Sequence, residues 1–216
     1  MSRIIVVLGA LVVLFSPSGL AQQSRLTEGQ IKSAQAEVPR LVEVLALKPG
    51  MTVADVGAGF GAWTIEFSRW IGPSGRVFAT EIGAPQLAAL RDAVTRENLT
   101  NVTVVEGAAA STNLPAACCD AIFIRDAYHH LTQPQDMLRS FAAALKPGGR
   151  LAVIDFPPRG NRVPEGVPAD RGGHGVPAAV IEREGGAVLT HVRTITSWAT
   201  KSEPNALFLV LFQKAS

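Results

Sequence analysis

Between residues 27 and 156 the chain alternates segments of helical periodicity with short apolar runs, and this alternation limits the possible folds more than any other feature. The apolar runs are nearly continuous, as in strands that are buried on both faces. Consecutive strands joined through helices run parallel and need helices on both faces of their sheet. The sequence therefore predicts an α/β fold with a mostly parallel sheet.

Five strands and four helices are predicted in this region. The first helix, over residues 31–45, is expected to be broken in two by Pro39, which has no backbone N–H to donate. The other helices are predicted at 62–71, 85–97 and 134–145, the last ended by the turn KPGG at 146–149. The strands are predicted at 51–56, 76–81, 102–106, 120–125 and 150–156.

The remaining 60 or so residues depart from this alternation. Residues 157–175 are rich in proline and glycine, and a connection of that length is usually functional or loose. A short helix is predicted near 178–184. Two β-rich segments, 188–198 and 206–212, are separated by a polar stretch and are expected to form an antiparallel hairpin at the sheet edge.

Composition limits the partners. The chain is 47% hydrophobic, enough for the core of one globular domain, and its formal charge is only +2 with no block of like charges. Nucleic-acid binding depends on clustered positive charge, so a nucleic-acid partner is disfavoured. The sequence does not indicate an oligomeric state.

The first 21 residues have the three parts of a secretory signal: an early arginine, the apolar run IIVVLGALVVLF and small residues before a cleavage point. The apolar run is shorter than the roughly 20 residues that span a bilayer. We therefore predict a signal peptide at 1–21, a single domain at 22–216, and export to the periplasm or beyond the cell. An uncleaved anchor or a buried first helix are the alternatives.

The stretch VADVGAGFGAW at 53–63 places three glycines directly after a predicted buried strand and before a helix. Glycines at this turn allow a ligand to approach the backbone, and the helix N-terminus offers N–H groups to it. Glu81 ends the next strand, 24 residues after Gly57, where a carboxylate can accept both hydroxyls of a ribose. Asp55 lies inside the first strand and needs a partner for its charge.

These motifs resemble those of class I S-adenosyl-L-methionine (SAM) dependent methyltransferases. The matching segments are LKPGMTVADVGAGFGAW, ATEIG, the third and fourth strand region through DAYHHL, and ALKPGGRLAVIDF. The YHH triplet and the later GHGVP resemble exported bacterial "methyltransferase domain" proteins, and ubiquinone/menaquinone C-methyltransferases are more distant. The resemblance implies a Rossmann-like sheet of seven strands with a reversed last strand, and transfer of a methyl group from SAM to an unidentified small acceptor.

The resemblance also implies a role for individual residues. Those assigned to the methionine end of SAM are Asp55, Gly57, Ala58, Gly59 and Gly61, with Arg125 or Asp126 as a further contact. It assigns Glu81 to the ribose and Ile82 to the adenine. Gly107 and Ala108 are expected near the adenine edge, where many relatives have an acidic residue that this chain lacks.

His129, His130 and His174 are the candidates for a general base, since histidine takes up a proton near neutral pH. A base is needed only if the acceptor must lose a proton, and packing or capping roles remain the alternative for each histidine. No metal ion is expected, because adjacent histidines do not by themselves define a metal site.

Two other functions stay open on the residues alone. The missing adenine acid and the predicted export favour a noncatalytic protein that binds SAM or a nucleoside. The glycine spacing also fits the looser nicotinamide dinucleotide pattern, which favours an oxidoreductase, although an aspartate two residues before Gly57 is more typical of SAM proteins.

Overall fold

The computed structural model describes residues 26–198 and 207–216, and in this part of the chain seven strands form one sheet. The strand order is β3-β2-β1-β4-β5-β7-β6, with β7 antiparallel to its neighbours β5 and β6. The predicted α/β class, the seven strands and the reversed last strand are confirmed. The strands are β1 Thr52–Val56, β2 Arg76–Glu81, β3 Val102–Glu106, β4 Cys119–Arg125, β5 Leu145–Asp155, β6 Thr190–Ile195 and β7 Phe208–Gln213.

Five α-helices cover the sheet: α1 Glu28–Leu45, α2 Ala62–Ile71, α3 Ala84–Arg96, α4 Pro134–Ala144 and α5 Ala178–Gly186. Alternate residues of each central strand face opposite sides, so neighbours such as Val53 and Ala54 belong to different apolar clusters. One cluster includes residues of α1 and α2, and the other includes residues of α4 and α5. Helices therefore lie on both faces, as predicted.

The predicted break of the first helix at Pro39 is wrong, because α1 continues through it. Pro39 is exposed, and so is Gln35, whose carbonyl loses its usual N–H donor there. That carbonyl lies on the solvent side, where water can satisfy it. The apolar face of α1, including Val38 and Leu41, stays buried against the sheet and stabilises the continuous helix.

The turn predicted at 146–149 is also wrong, because β5 begins at Leu145, directly after α4. Cys119 pairs with Leu145 and Ala121 pairs with Arg150, so the register of β4 and β5 shifts here. Residues 146–149 therefore form an irregularity within β5. Gly148 has φ +74°, a backbone conformation that glycine adopts at low cost. A proline-glycine sequence usually ends a helix or a strand. In this protein it lies inside β5, at the irregularity.

The C-terminal strands β6 and β7 extend the sheet beyond β5. The predicted antiparallel pairing of the last two strands is confirmed, but β7 inserts between β5 and β6, so β6 alone forms this edge. Among the described residues, no helix combines the length and apolar character needed to cross a membrane. The predicted signal peptide, residues 1–21, lies outside the described residues, and its prediction rests on the sequence.

Candidate cofactor-binding site

A cavity of ≈ 410 Å³ opens at the carboxyl ends of the central strands. Val56 at the end of β1, Glu81 at the end of β2 and Ile124 near the end of β4 contribute to its wall. The chain order reverses between the adjacent strands β1 and β4, and open parallel sheets bind their ligands at such a position. The cavity therefore lies where the sequence predicts a ligand site.

The glycine turn after β1 is held close to β2. The backbone N–H groups of Gly57 and Ala58 both donate to the carbonyl of Thr80, at 3.0 Å each. Gly57 has φ +70°, and a Cβ atom on it would lie 2.9 Å from the Cβ of Ala127. Both the backbone conformation and the close contact therefore require glycine at the first position of the motif.

Glu81 is fixed at the cavity wall by two backbone donors. Its Oε2 accepts a hydrogen bond from the N–H of Gly59 at 3.0 Å, and its Oε1 accepts one from the N–H of Ile82 at 2.8 Å. Each carboxylate oxygen has a second lone pair. The carboxylate is thus oriented before any ligand arrives, and it retains the capacity to accept one hydroxyl on each oxygen.

Asp55 lies behind the glycine turn and does not line the cavity. Its side chain is buried, and its Oδ2 accepts a hydrogen bond of 2.6 Å from the Thr64 hydroxyl. Burial raises the pKa of Asp55 to about 7, the hydrogen bond from Thr64 opposes this rise, and the nearby charge of Glu81 adds to it. The partner that the buried Asp55 was expected to need is present in the form of Thr64 on α2; its assignment to the methionine end of SAM stays a prediction.

Arg125 does not line the cavity either. Its Nε donates to Glu37 at 2.9 Å, and its guanidinium lies 4.4 Å from the centroid of the Trp63 ring. Glu37 is fully buried and also accepts hydrogen bonds from the indole N–H groups of Trp63 and Trp198, each at 2.7 Å. Burial raises the pKa of Glu37, and the charge of Arg125 lowers it. This network joins α1 to α2, to β4 and to the segment after β6.

Only some of the other residues that were predicted to bind the cofactor line the cavity. Ile82, Gly107, Ala108 and Asp126 line the cavity together with Gly57 and Glu81, whereas Ala58, Gly59 and Gly61 do not. Asp126 has φ +54°, a strained conformation for a residue with a side chain, and its N–H donates to the carbonyl of Ile154 at 2.9 Å. The hydrogen bond to β5 helps to hold the turn after β4 at the cavity in spite of this strain.

The three candidate catalytic histidines lie together, although only His130 lines the cavity. His129 is buried, and its Nδ1 lies 2.9 and 3.1 Å from the two carboxylate oxygens of Asp155 at the end of β5. Its Nε2 lies 3.2 Å from Nε2 of His174 in the long loop. Partial burial lowers the pKa of His130, and the adjacent His129 and His174 lower it further, so His130 is neutral at pH 7.

Several wall residues were not predicted. They are Thr80, Ala109, Ser111, Thr112, Leu131, Thr132 and Met137. Most come from loops or from one helix face, and no local motif marks them. Asp155, which contacts His129, does have a signal in the sequence, because it is an acid at the end of a buried strand. An acid in a buried strand is also the signal that indicated Asp55.

The sequence was compared with protein families and with known proteins, and both comparisons found methyltransferases. Residues 53–149 match a family model described as a methyltransferase domain. A segment of 116 residues, 53% of this chain, is 34% identical to the ubiquinone/menaquinone biosynthesis C-methyltransferase UbiE of Pseudomonas paraeruginosa. That segment is 45% of the relative, so the match spans about half the length of such curated relatives.

Solved structures resemble the fold over most of the chain. A SAM-dependent methyltransferase from Aquifex aeolicus superposes with a TM-score of 0.66, covers 88% of this chain and 99% of its own, and is 23% identical. The phosphoethanolamine N-methyltransferase 2 of Haemonchus contortus, solved with SAM bound, also has a TM-score of 0.66 over 84% of this chain and 53% of its own, at 14% identity. At these identities the likeness establishes the fold.

Proposed function

We propose that this protein transfers a methyl group from SAM to a small-molecule acceptor. The orientation of Glu81 carries this proposal: its carboxylate is held by the glycine turn on one oxygen and by its own strand end on the other, at the wall of an open cavity. A carboxylate fixed in this way suits the two hydroxyls of a ribose. The match of residues 53–149 to a methyltransferase domain supports SAM over a nicotinamide dinucleotide.

The cavity wall fits the parts of SAM by chemical type. Glu81 would accept the ribose hydroxyls, and the side chain of Ile82, 62% exposed, offers an apolar surface to the adenine. Gly107 and Ala108 would lie beside the base and offer little beyond backbone groups. The Asp126 carboxylate in the cavity wall would contact the ammonium group of the methionine moiety. Asp55 lies outside the wall and would support the same end of SAM indirectly, by positioning the glycine turn.

SAM supplies the reactive methyl group on its sulfonium, so the protein's main task is to align the acceptor and exclude water. Alignment of this kind can lower a barrier by roughly 7–11 kcal/mol. Leu131 and Met137 give the cavity an apolar wall suited to a largely apolar acceptor. His130 lies in the same wall with a neutral imidazole, and it would accept a proton from an acceptor hydroxyl or carbon acid.

Export is a separate part of the proposal and rests on the sequence of residues 1–21. It places the domain outside the cytosol, where SAM is made, and therefore requires a supply of SAM in the outer compartment. Cell fractionation followed by N-terminal sequencing tests it. A mature N-terminus at Gln22 in the exported fraction supports export, and an intact Met1 in the cytosolic fraction contradicts it.

Titration calorimetry of SAM into the wild type and Glu81→Gln tests the cofactor assignment. Loss of the charged acceptor is expected to weaken SAM binding at least tenfold, since hydrogen bonds to charged groups contribute about 1.5–3 kcal/mol. Glu106→Gln is the matched control, because Glu106 pairs with Glu81 in register at the end of β3 but does not line the cavity.

The outcomes separate the competing functions. Absence of SAM binding by the wild type, or equal affinity in the Glu81 and Glu106 variants, contradicts the proposal. Binding of NADH in its place supports an oxidoreductase. Binding of SAM without transfer of a radiolabelled methyl group to a panel of phenols, quinols and amines supports a noncatalytic binder.

A further inference from the structure

Three of the chain's four histidines converge at the edge of the cavity. His129 and His130 belong to a short 3-10 helix after β4, and His174 comes from the long loop between β5 and α5. Their ring centroids lie 4.1 Å apart for His129 and His130, 4.6 Å for His129 and His174, and 5.6 Å for His130 and His174. One nitrogen of each ring lies within 4.8 Å of the other two.

Asp155 fixes the tautomer of His129. The Asp155 carboxylate is fully buried and accepts hydrogen bonds from the backbone N–H groups of His129, at 3.1 Å, and Phe156, at 2.9 Å. A carboxylate only accepts hydrogen bonds, so Nδ1 of His129 carries the proton and Nε2 presents a lone pair. A carboxylate behind a histidine in this way is the usual outer partner of a metal-binding imidazole.

The separation between the two facing imidazoles matches that of two ligands on one ion. Nε2 of His129 and Nε2 of His174 lie 3.2 Å apart. Zinc–nitrogen bonds of about 2.0–2.1 Å at the tetrahedral angle place their nitrogen atoms about 3.3 Å apart. The side chains of His130 and His174 are both exposed and can move. A shift on the order of 1 Å would bring the His130 nitrogen to about the same separation from the nitrogens of His129 and His174.

His174 is held in position by its loop. Its backbone pairs with that of Arg159 through N–H···O bonds of 2.7 and 3.1 Å, and Val176 N–H donates to the Phe156 carbonyl at 3.0 Å. Three residues before His174, the guanidinium of Arg171 is fully buried and forms a double hydrogen bond with Glu184 on α5, at 3.0 and 3.2 Å. Loop contacts thus bring His174 to His129 without help from the histidine side chains.

The charges around the cluster include both signs. Asp126 and Asp155 each have a carboxylate oxygen within 4.8 Å of a His129 nitrogen and favour a cation. Arg159 opposes it, since its guanidinium lies 4.9 Å from the centroid of the Phe156 ring, which itself lies 5.3 Å from that of His174. The two carboxylates lie near a ring nitrogen of His129, whereas the Arg159 guanidinium is placed only relative to the Phe156 ring.

We propose that His129, His130 and His174 bind a divalent transition-metal ion of the zinc class, such as Zn²⁺, Co²⁺ or Ni²⁺. Three imidazoles suit these ions, whereas Mg²⁺ and Ca²⁺ require mainly oxygen ligands. Three protein ligands leave a further coordination position for water or for an acceptor oxygen. Because His130 also lines the cavity, that position would lie at the cavity's edge. A His130 lone pair that binds the ion cannot also accept a proton, so in the metal-bound protein the ion would take over the activation of the acceptor from His130. The sequence suggests Asp126, Asp155 and the histidines as a conceivable set of ligands, but no metal was expected because adjacent histidines cannot be judged without their geometry.

Binding of Co²⁺ to the untagged full chain, without SAM, tests the proposal. Wild-type protein is expected to bind one Co²⁺ with the visible absorption of a histidine-bound ion. His174→Ala and His130→Ala are each expected to lose at least tenfold in affinity. His191→Ala is the matched control and is expected to bind as the wild type does, because His191 lies on β6 beside Thr194 and outside the cluster.

Asp155→Asn gives a second readout, because loss of an outer carboxylate lowers metal affinity by about 10–100-fold. Thermal unfolding of each variant without metal controls for folding, and calorimetry with SAM tests the cofactor site independently. Absence of stoichiometric Co²⁺ binding by the wild type overturns the proposal and leaves a hydrogen bond between His129 and His174 as the role of the pair. Equal losses in the His174 and His191 variants also overturn it.

Discussion

Asp55 lies in the middle of the sheet, paired in register with Ala79 on β2 and Phe123 on β4. Burial raises its pKa from the ordinary value of 3.8 to about 7, because the charged form loses its hydration and the hydrogen bonds from the Thr64 hydroxyl and backbone N–H compensate only in part. The folded state therefore holds the proton more tightly than the unfolded state. The stabilisation from this carboxyl is fully present below about pH 4 and is lost as the pH rises towards about 7.

Replacement of Asp55 by Asn removes this titration and keeps an oxygen that accepts the Thr64 hydroxyl. One pKa unit corresponds to about 1.4 kcal/mol, so the full shift corresponds to about 4 kcal/mol. Between about pH 4.5 and about pH 8 the unfolding free energy of Asp55→Asn should rise relative to that of the wild type by about 3 kcal/mol. The variant should therefore gain stability relative to the wild type as the buffer becomes weakly alkaline.

Urea unfolding followed by tryptophan fluorescence at the two pH values measures this difference. Asp170→Asn is the matched control: Asp170 is exposed and pairs with Arg183 at the surface, where the expected change is below about 1 kcal/mol. A difference for Asp55→Asn that stays constant with pH, or that falls, refutes the reasoning. If Asp55 also supports the methionine end of SAM, the same variant will bind SAM more weakly at pH 8 despite this gain in stability.

Two further predictions concern the glycine turn and the loop that carries His174. Gly57→Ala should lower both SAM affinity and the unfolding free energy, the latter by at least about 1–2 kcal/mol for the left-handed backbone, as measured by calorimetry and urea unfolding. Gly72 also has a positive φ, +73°, and no atom lies within 4 Å of a new Cβ there, so Gly72→Ala should cost stability through backbone strain alone and keep SAM affinity. Arg171→Met should lower the unfolding free energy by about 3–5 kcal/mol, because it leaves the buried Glu184 without its ion-pair partner. A melting temperature equal to that of the wild type would show that this ion pair does not hold the loop.

The strands, most of the helices and the glycine turn beside the cavity were predictable because their signals are local. Buried strands must be apolar along their whole length, and the glycine turn needs a backbone that only glycine adopts without strain, as Gly57 shows. The continuity of α1 through Pro39 was not predictable in this way. It depends on which side of the helix faces water, and that is decided by packing against the sheet.

The sequence alone determined the α/β class, the carboxylate at the end of β2 and the turn that it meets, since each follows from residues close together in the chain. Only the tertiary structure decided that Arg125 pairs with Glu37 rather than facing the cavity, and that His174 lies 3.2 Å from His129 with Asp155 behind it. These contacts join residues 26 to 88 positions apart. Their geometry is set by strand order and loop packing, which local sequence patterns do not encode.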